Sequence, residues 1–311
     1  MRYRQFQWAF TPESLQRSRE CLEQAIALDP EFALPYFGLA DHYGAYIWAG
    51  VASDEWFPRA RDFALRALEL DPDLPEAHAY MGIVAGLYEG NWEEAKRRVR
   101  IAMAAEPVHW HIRALAGVFH FQPMGLLAES RRQLKRALED NPLSQICYLC
   151  LGETLEALGL EAEAGGSWKR SVELDAKFWL GWAYGAMHHA VYGRHAEARK
   201  WAEEAYALLP TTPITVGVLA GVLEMAGDGA RARDVLNGLP ADTPGIPVAH
   251  ACYHLAGGNI EESVTWIGKA VVRNFILTSA FLIRPYEKFL SKSSAWPALL
   301  ASLGLKPAVT D

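Results

Sequence analysis

Cysteine is scarce in this chain of 311 residues: there are four, Cys21, Cys147, Cys150 and Cys252. That number is too small for a disulfide scaffold and points to a reducing compartment, the cytoplasm. Cys147 and Cys150 form a CxxC, but neither a second pair nor a histidine pair follows at zinc-finger spacing. They lie in the apolar run Cys-Tyr-Leu-Cys-Leu and read as buried thiols. Long hydrophobic runs are also missing. No stretch reaches the roughly 18 apolar residues of a membrane span. The opening Met1-Arg-Tyr-Arg-Gln-Phe-Gln-Trp8 lacks the core and cleavage site of a signal peptide. No membrane partner is expected.

An excess of positive charge is absent too. Lys and Arg number 30 against 37 Asp and Glu, a net charge of -7. A nucleic-acid surface needs clustered cations, so no nucleic-acid partner is expected. The densest basic run, Lys96-Arg97-Arg98, shares its helix with Glu93 and Glu94 and reads as a solvated face. Phosphate-cradling GxxxxGK[ST] and zinc-binding HExxH motifs are missing. His188 and His189 point about 100° apart on a helix and do not chelate one ion together. Glu153 and Glu156 stand one turn apart without a readable acid–base partner and read as a solvated pair. The expectation is a protein that is not an enzyme, with no metal and no cofactor.

What the chain does contain is a beat. Ala102, Ala137, Ser171 and Ala205 recur at spacings of 35, 34 and 34. Seven residues before each stands another small residue: Ala95, Ser130, Ala164 and Ala198. Five residues after each comes a breaker slot: Pro107, Pro142, Ala176 and Pro210. A period of about 34 residues is that of a helix-turn-helix repeat. Glycines mark the first helix of successive units: Gly38, Gly82, Gly117, Gly152 and Gly185. Each costs about 1 kcal/mol in a helix relative to Ala, which predicts close helix–helix approach there.

In chain order, residues 1–10 read as the second part of a helix whose beginning is missing. Thr11 caps the next helix, Pro12 fits its first turn, and Asp29-Pro30 ends it. The second unit carries an insertion near residues 46–57, with Trp48 and Trp56, that is either functional or a cover for the end of the stack. A seventh unit, Thr211–Pro240, is short and degenerate, and an eighth follows Pro247. After Asn274 the beat is lost, and Trp296–Leu303 reads as an amphipathic helix covering the last repeat. The predicted organisation is an array of about seven to eight units over 1–275, the first incomplete, then a capping helix and tail over 276–311.

Phrases such as Ala25-Ile-Ala-Leu-Asp-Pro30, Ala67-Leu-Glu-Leu-Asp-Pro72 and Ala137-Leu-Glu-Asp-Asn-Pro142 resemble tetratricopeptide repeats. The longer combination Thr11-Pro-Glu-Ser, Ala33-Leu-Pro-Tyr-Phe-Gly-Leu-Ala-Asp-His-Tyr43 and Pro72-Asp-Leu-Pro-Glu-Ala-His78 is narrower. It resembles the repeat region at the C-terminal end of bacterial winged-helix, adenylate cyclase or Ser/Thr kinase regulators. The resemblance implies an all-α, right-handed superhelix whose concave side, lined by the first helix of each pair, binds a peptide. It also implies that the chain is either a free-standing relative or the partner-binding fragment of a larger regulator. The incomplete first helix favours the fragment.

Taking positions around each glycine by helical period, the predicted groove includes Leu39, His42, Ile83, Val118, Phe121, Leu149, Glu153, Glu156, Trp182 and His189. Tetratricopeptide proteins that grip a chaperone's C-terminal carboxylate use Lys, Arg and Asn at such places, and none occurs here. An apolar lining beside Glu153 and Glu156 suits a protein or peptide segment that is apolar and carries a basic residue. The competing reading is that these residues pack within the superhelix. The alternative function is a small-molecule-binding or catalytic helical-repeat protein that uses the aromatic, His-rich N-terminal half.

Overall fold

The computed structural model describes residue 6 and residues 8–48, 56–272 and 282–308, leaving aside the side chains of 46–48. Among these residues every regular element is helical. Helix α1 (Pro12–Leu28) begins as its sequence dictates. Thr11 Oγ1 accepts from the Ser14 amide at 3.3 Å, and Ser14 Oγ accepts from the Thr11 amide at 3.1 Å. Seven antiparallel pairs follow. They are α2 (Ala33–Trp48) with α3 (Trp56–Leu70), α4 (Pro75–Ile83) with α5 (Trp92–Met103), and α6 (Trp110–Ala116) with α7 (Leu127–Asp140). Then come α8 (Gln145–Ala157) with α9 (Glu161–Leu174), α10 (Trp179–Val191) with α11 (His195–Leu208), α12 (Pro213–Met225) with α13 (Gly229–Asn237), and α14 (Ile246–Ala256) with α15 (Ile260–Val272). The pairs stack into a right-handed superhelix. Two short helices, α16 (Glu287–Leu290) and α17 (Trp296–Ser302), complete the described chain.

The small residues of the beat sit where two helices touch. Ala95, Ala102, Ser130, Ala137, Ala164, Ser171, Ala198 and Ala205 are each fully buried on a second helix. Gly82, Gly117, Gly152 and Gly185 face the second helix of their own pair. A Cβ on Gly82 would stand 3.0 Å from Val99, and one on Gly152 would stand 2.6 Å from the Trp168 indole. The spacing is 35 both from Ala67 to Ala102 and from Ala102 to Ala137, and the extra residue in these two units also has a place. Those units contain a π turn, Val84–Tyr88 continuing α4 and Gly117–Phe121 continuing α6. A π turn absorbs one residue without breaking the helix. The 34-residue units built on α8–α9 and α10–α11 contain none.

The thiols behave as their surroundings require. Cys147 and Cys150 are buried on α8, and desolvation pushes the Cys147 thiol up to about 12. Part of the second unit's insertion, residues 49–55, lies outside the described residues, as do 273–281 and the last three positions. Trp56 opens α3 and packs on Tyr43 with ring centroids 5.3 Å apart.

Candidate functional site: the inner channel

The first helices of the pairs turn their inner faces toward a common channel, and residues 8–10 and 282–290 lie in it. At one end Trp8 meets Trp110 edge-on at 5.0 Å, and Phe10 lies against Phe178. The Trp179 indole donates to the Phe10 carbonyl at 3.3 Å, joining residues 169 positions apart. Phe10 holds φ +50, a conformation rare for a bulky residue, which surrounding contacts must maintain. A narrow cavity of about 50 Å³ remains here, walled by Trp8, Tyr80 and Trp110 together with Asp41, His111 and Cys150. The Asp41 carboxylate stands 3.7 Å from His111 Nε2. The Tyr80 hydroxyl is buried without a hydrogen-bond partner, and burial raises its pKa.

At the other end the C-terminal segment crosses the inner faces of α10, α12 and α14. Tyr286, fully buried, packs with Leu282 against Tyr184, Met187, Val218 and Cys252. Arg284 is also buried. Its Nε and Nη2 donate to the Pro123 carbonyl at 2.9 and 2.7 Å, and its Nη1 pairs with Glu287 at 2.7 Å. Phe289 meets the Tyr192 ring at 5.4 Å. Ser293 Oγ donates to Glu261 at 2.6 Å, anchoring the segment to α15. Helix α17 packs on α15, and the chain beyond it continues to the turn after α4. There Leu303 and Leu305 share a cavity of about 230 Å³ with Leu87 and Trp92. The terminal helix therefore does more than cover the last repeat, since the residues after it reach the third.

Two acids lie beneath this segment. Glu156 is buried and fully engaged: Oε2 lies 2.6 Å from His188 Nδ1, and the Tyr192 hydroxyl donates to Oε1 at 2.7 Å. On the other side of that imidazole, Arg194 Nη2 stands 2.6 Å from Nε2. A guanidinium cannot accept, so Nε2 accepts from Arg194, and the Nδ1 proton is donated to Glu156. Arg194 also pairs with Glu161, closing the chain of charges. Glu153 is different. It is 0% exposed, neither oxygen has a hydrogen-bond partner, and desolvation drives its carboxyl well above the usual range. Around it are Cys150, Tyr184 and Tyr286.

The ten predicted groove residues do not form one open surface. Glu153 and Glu156 are buried rather than solvated, so removing both would strike a charge network and a buried acid, not a surface patch. Trp182 and His189 face Trp201 of α11, with centroids 4.8 and 5.4 Å apart. The reason is geometric. Positions three before and four after a helical residue share its face, and Gly185 faces Trp201. Leu39 of α2 packs on Leu22 of α1, and His42, also on α2, is buried and held near 4 by desolvation and by Arg19. Ile83 lines the N-terminal cavity, Val118 and Leu149 are core residues, and Phe121 is half-buried. The missed wall residues are Tyr184, Met187, Val218 and Cys252. One signal was available for Tyr184 and Met187, which lie off the Trp201-facing stripe of Gly185 on α10. Among the described residues no group of three His, Cys, Asp or Glu side chains is placed to hold a metal ion, and no helix is long and apolar enough to cross a membrane.

No family model matches the chain, and no curated protein matches it. Solved structures do. The human IFIT1 dimer with PPP-AAAA superposes with a TM-score of 0.64 at 16% identity, over 90% of this chain and 69% of that one. This fold is a tetratricopeptide solenoid. The TPR protein YrrB, described with an unusual peptide-binding site, aligns at 21% identity and TM-score 0.39 over 64% of this chain and 97% of its own. PilF of Pseudomonas aeruginosa aligns at 18% identity and TM-score 0.48 over 63% of this chain and 89% of its own.

Proposed function

We infer that the chain is a non-enzymatic interaction scaffold whose inner channel takes a protein or peptide segment. The observation that carries this reading is the stretch Leu282–Tyr286, which lies along the first helices with an arginine and a tyrosine as anchors. A wall that accepts one peptide stretch has the shape and chemistry to accept another: apolar side chains, a backbone carbonyl at Pro123 that takes an arginine, and buried acid. A triphosphate-bearing ligand such as that in the IFIT1 structure would meet this apolar and acidic wall, not a cluster of cations. The phrases between Thr11 and His78 support placement in a cytoplasmic bacterial regulator, in keeping with four free thiols.

A peptide selected from a random library on the purified chain tests the reading. On binding it should slow hydrogen exchange along α10 and α12. Protection confined to the outer helices α9 and α11 would overturn it. A second reading, a small-molecule site, is favoured by the cavity at Asp41, Tyr80 and His111. Tyr80→Phe would then weaken ligand binding and leave peptide binding intact.

A further inference from the structure

We propose that residues 282–290 are a built-in occupant of the inner channel, seated where a partner segment of the pattern aliphatic–arginine–proline–aromatic docks. This rests on the reading of the channel as a peptide-binding surface and names the chemistry it selects.

The segment Leu-Ile-Arg-Pro-Tyr-Glu-Lys-Phe-Leu has the anchors of a bound peptide. Tyr286 enters the wall made by Ala183, Tyr184 and Met187 of α10, Val218 of α12 and Cys252 of α14. Leu282 and Ile283 are helical, and Arg284–Tyr286 form the turn that leads into α16. Arg284 reaches from the segment to the turn before α7, where one backbone carbonyl, that of Pro123, accepts two of its N–H groups. A backbone carbonyl is read by any arginine presented in the same frame, so the contact selects the arginine and not the chain that carries it. The rest of the Arg284 fork is satisfied by Glu287 of the segment and by the Lys306 carbonyl farther along the same chain. A separate chain can bring such partners with it.

The cis fit is also incomplete. Tyr286 is fully buried, yet its hydroxyl and both oxygens of nearby Glu153 have no hydrogen-bond partner. Among the described residues, the hydrogen bonds from 282–290 to the helix pairs run from Arg284 to the Pro123 carbonyl, and farther along the chain Ser293 and Ser294 bond Glu261. Cutting the Arg284 tie removes its hydrogen bonds to the array and leaves apolar burial to hold the segment. A competitor that satisfies Glu153 gains what the cis segment forgoes. Tethering works against any competitor, because a linked segment acts at an effective concentration on the order of millimolar. A free peptide of the same sequence therefore binds the intact chain poorly, and a partner succeeds by fuller contacts.

The test uses the full chain and a fluorescent nonapeptide with the sequence of residues 282–290. Anisotropy gives its affinity for the wild type, for Arg284→Ala, and for Phe289→Ala, a half-buried position that weakens the segment should Arg284→Ala fail to fold. Hydrogen exchange follows residues 282–306 separately from α8–α14. Loss of a charged hydrogen-bonding group costs roughly tenfold to a hundredfold. The expected result is faster exchange of 282–306 with the array still protected, and peptide binding at least tenfold tighter than to the wild type. The same peptide carrying Arg284→Ala should lose at least tenfold in affinity. If the segment and the array open together, the segment is a structural part of the fold; the proposal fails while the channel reading stands. If the segment opens alone and no peptide binds, both fail. Concentration-dependent dimerisation of the variants would make the occupant a second copy of this chain and overturn the separate-partner reading.

Discussion

Glu153 offers the sharpest test of the electrostatics inside the array. Its side chain is 0% exposed, lacks a hydrogen-bond partner, and has its carboxyl driven well above the ordinary 4.5 by desolvation. In the unfolded chain the same group ionises near its ordinary value. Between the two values the folded state holds a proton that the unfolded state has released. Stability from this group is therefore complete at low pH and falls as pH rises, by up to ~1.4 kcal/mol for each pH unit in the window. Glu153→Gln keeps the shape and removes the titration. The amide introduces two unpaired donors, an offset of about 1–3 kcal/mol that does not change with pH. The informative quantity is thus the difference between wild type and variant, in which all other titrating groups cancel. Urea midpoints followed by circular dichroism from pH 4.5 to 8 should show the wild type losing ground steadily to the variant. A flat difference would mean that Glu153 is hydrated or charged in the folded protein and would refute the burial argument.

Three further outcomes follow from the same geometry. In α9, a Cβ on Gly166 meets nothing within 4 Å, whereas one on Gly165 stands 3.1 Å from His188 Nε2. Gly166→Ala should therefore raise stability by about 1 kcal/mol. Gly165→Ala should bring no gain, because His188 is held by Glu156 and Arg194; equal gains in melting temperature would contradict this. Burial holds His42 and His120 down to about 4 from 6.5. For them the unfolded chain takes up protons first, so stability falls as pH drops from 6.5 toward 4. His120→Gln should flatten that fall by up to ~3 kcal/mol, measured as the difference in urea stability between pH 7 and pH 4. Finally, duplex DNA should show no salt-sensitive binding; submicromolar affinity at physiological salt would overturn the scaffold reading.

The helical array was legible in the residues themselves. A helix pair packs on its neighbours alone, so each unit must repeat the same small residues at the same contacts. Ala102, Ala137 and Ser171 reveal the stack because each is too small to keep two helices apart. Thr11 and Pro12 mark the start of α1 for reasons that are local to one turn. Even the slip from 34 to 35 residues was written in the spacing, although only coordinates place it in π turns of α4 and α6.

The channel was not legible in this way. Whether an inward residue meets solvent or another segment depends on the curvature accumulated over several units, and no single repeat encodes it. The bond from Trp179 to Phe10 spans 169 positions, and that from Arg284 to Pro123 spans 161. Periodicity is silent at such distances. The same limit misplaced the acids. A carboxylate reads as a surface group by default, and the stripe containing Glu153 looks alike whether it faces a groove or a core. Only the tertiary structure brought Tyr286 down over Glu153 and His188 up to Glu156. Residue spacing determined that the chain winds into a solenoid; the packing of residues 8–10 and 282–290 against its inner helices determined which acids are buried and what lies against them.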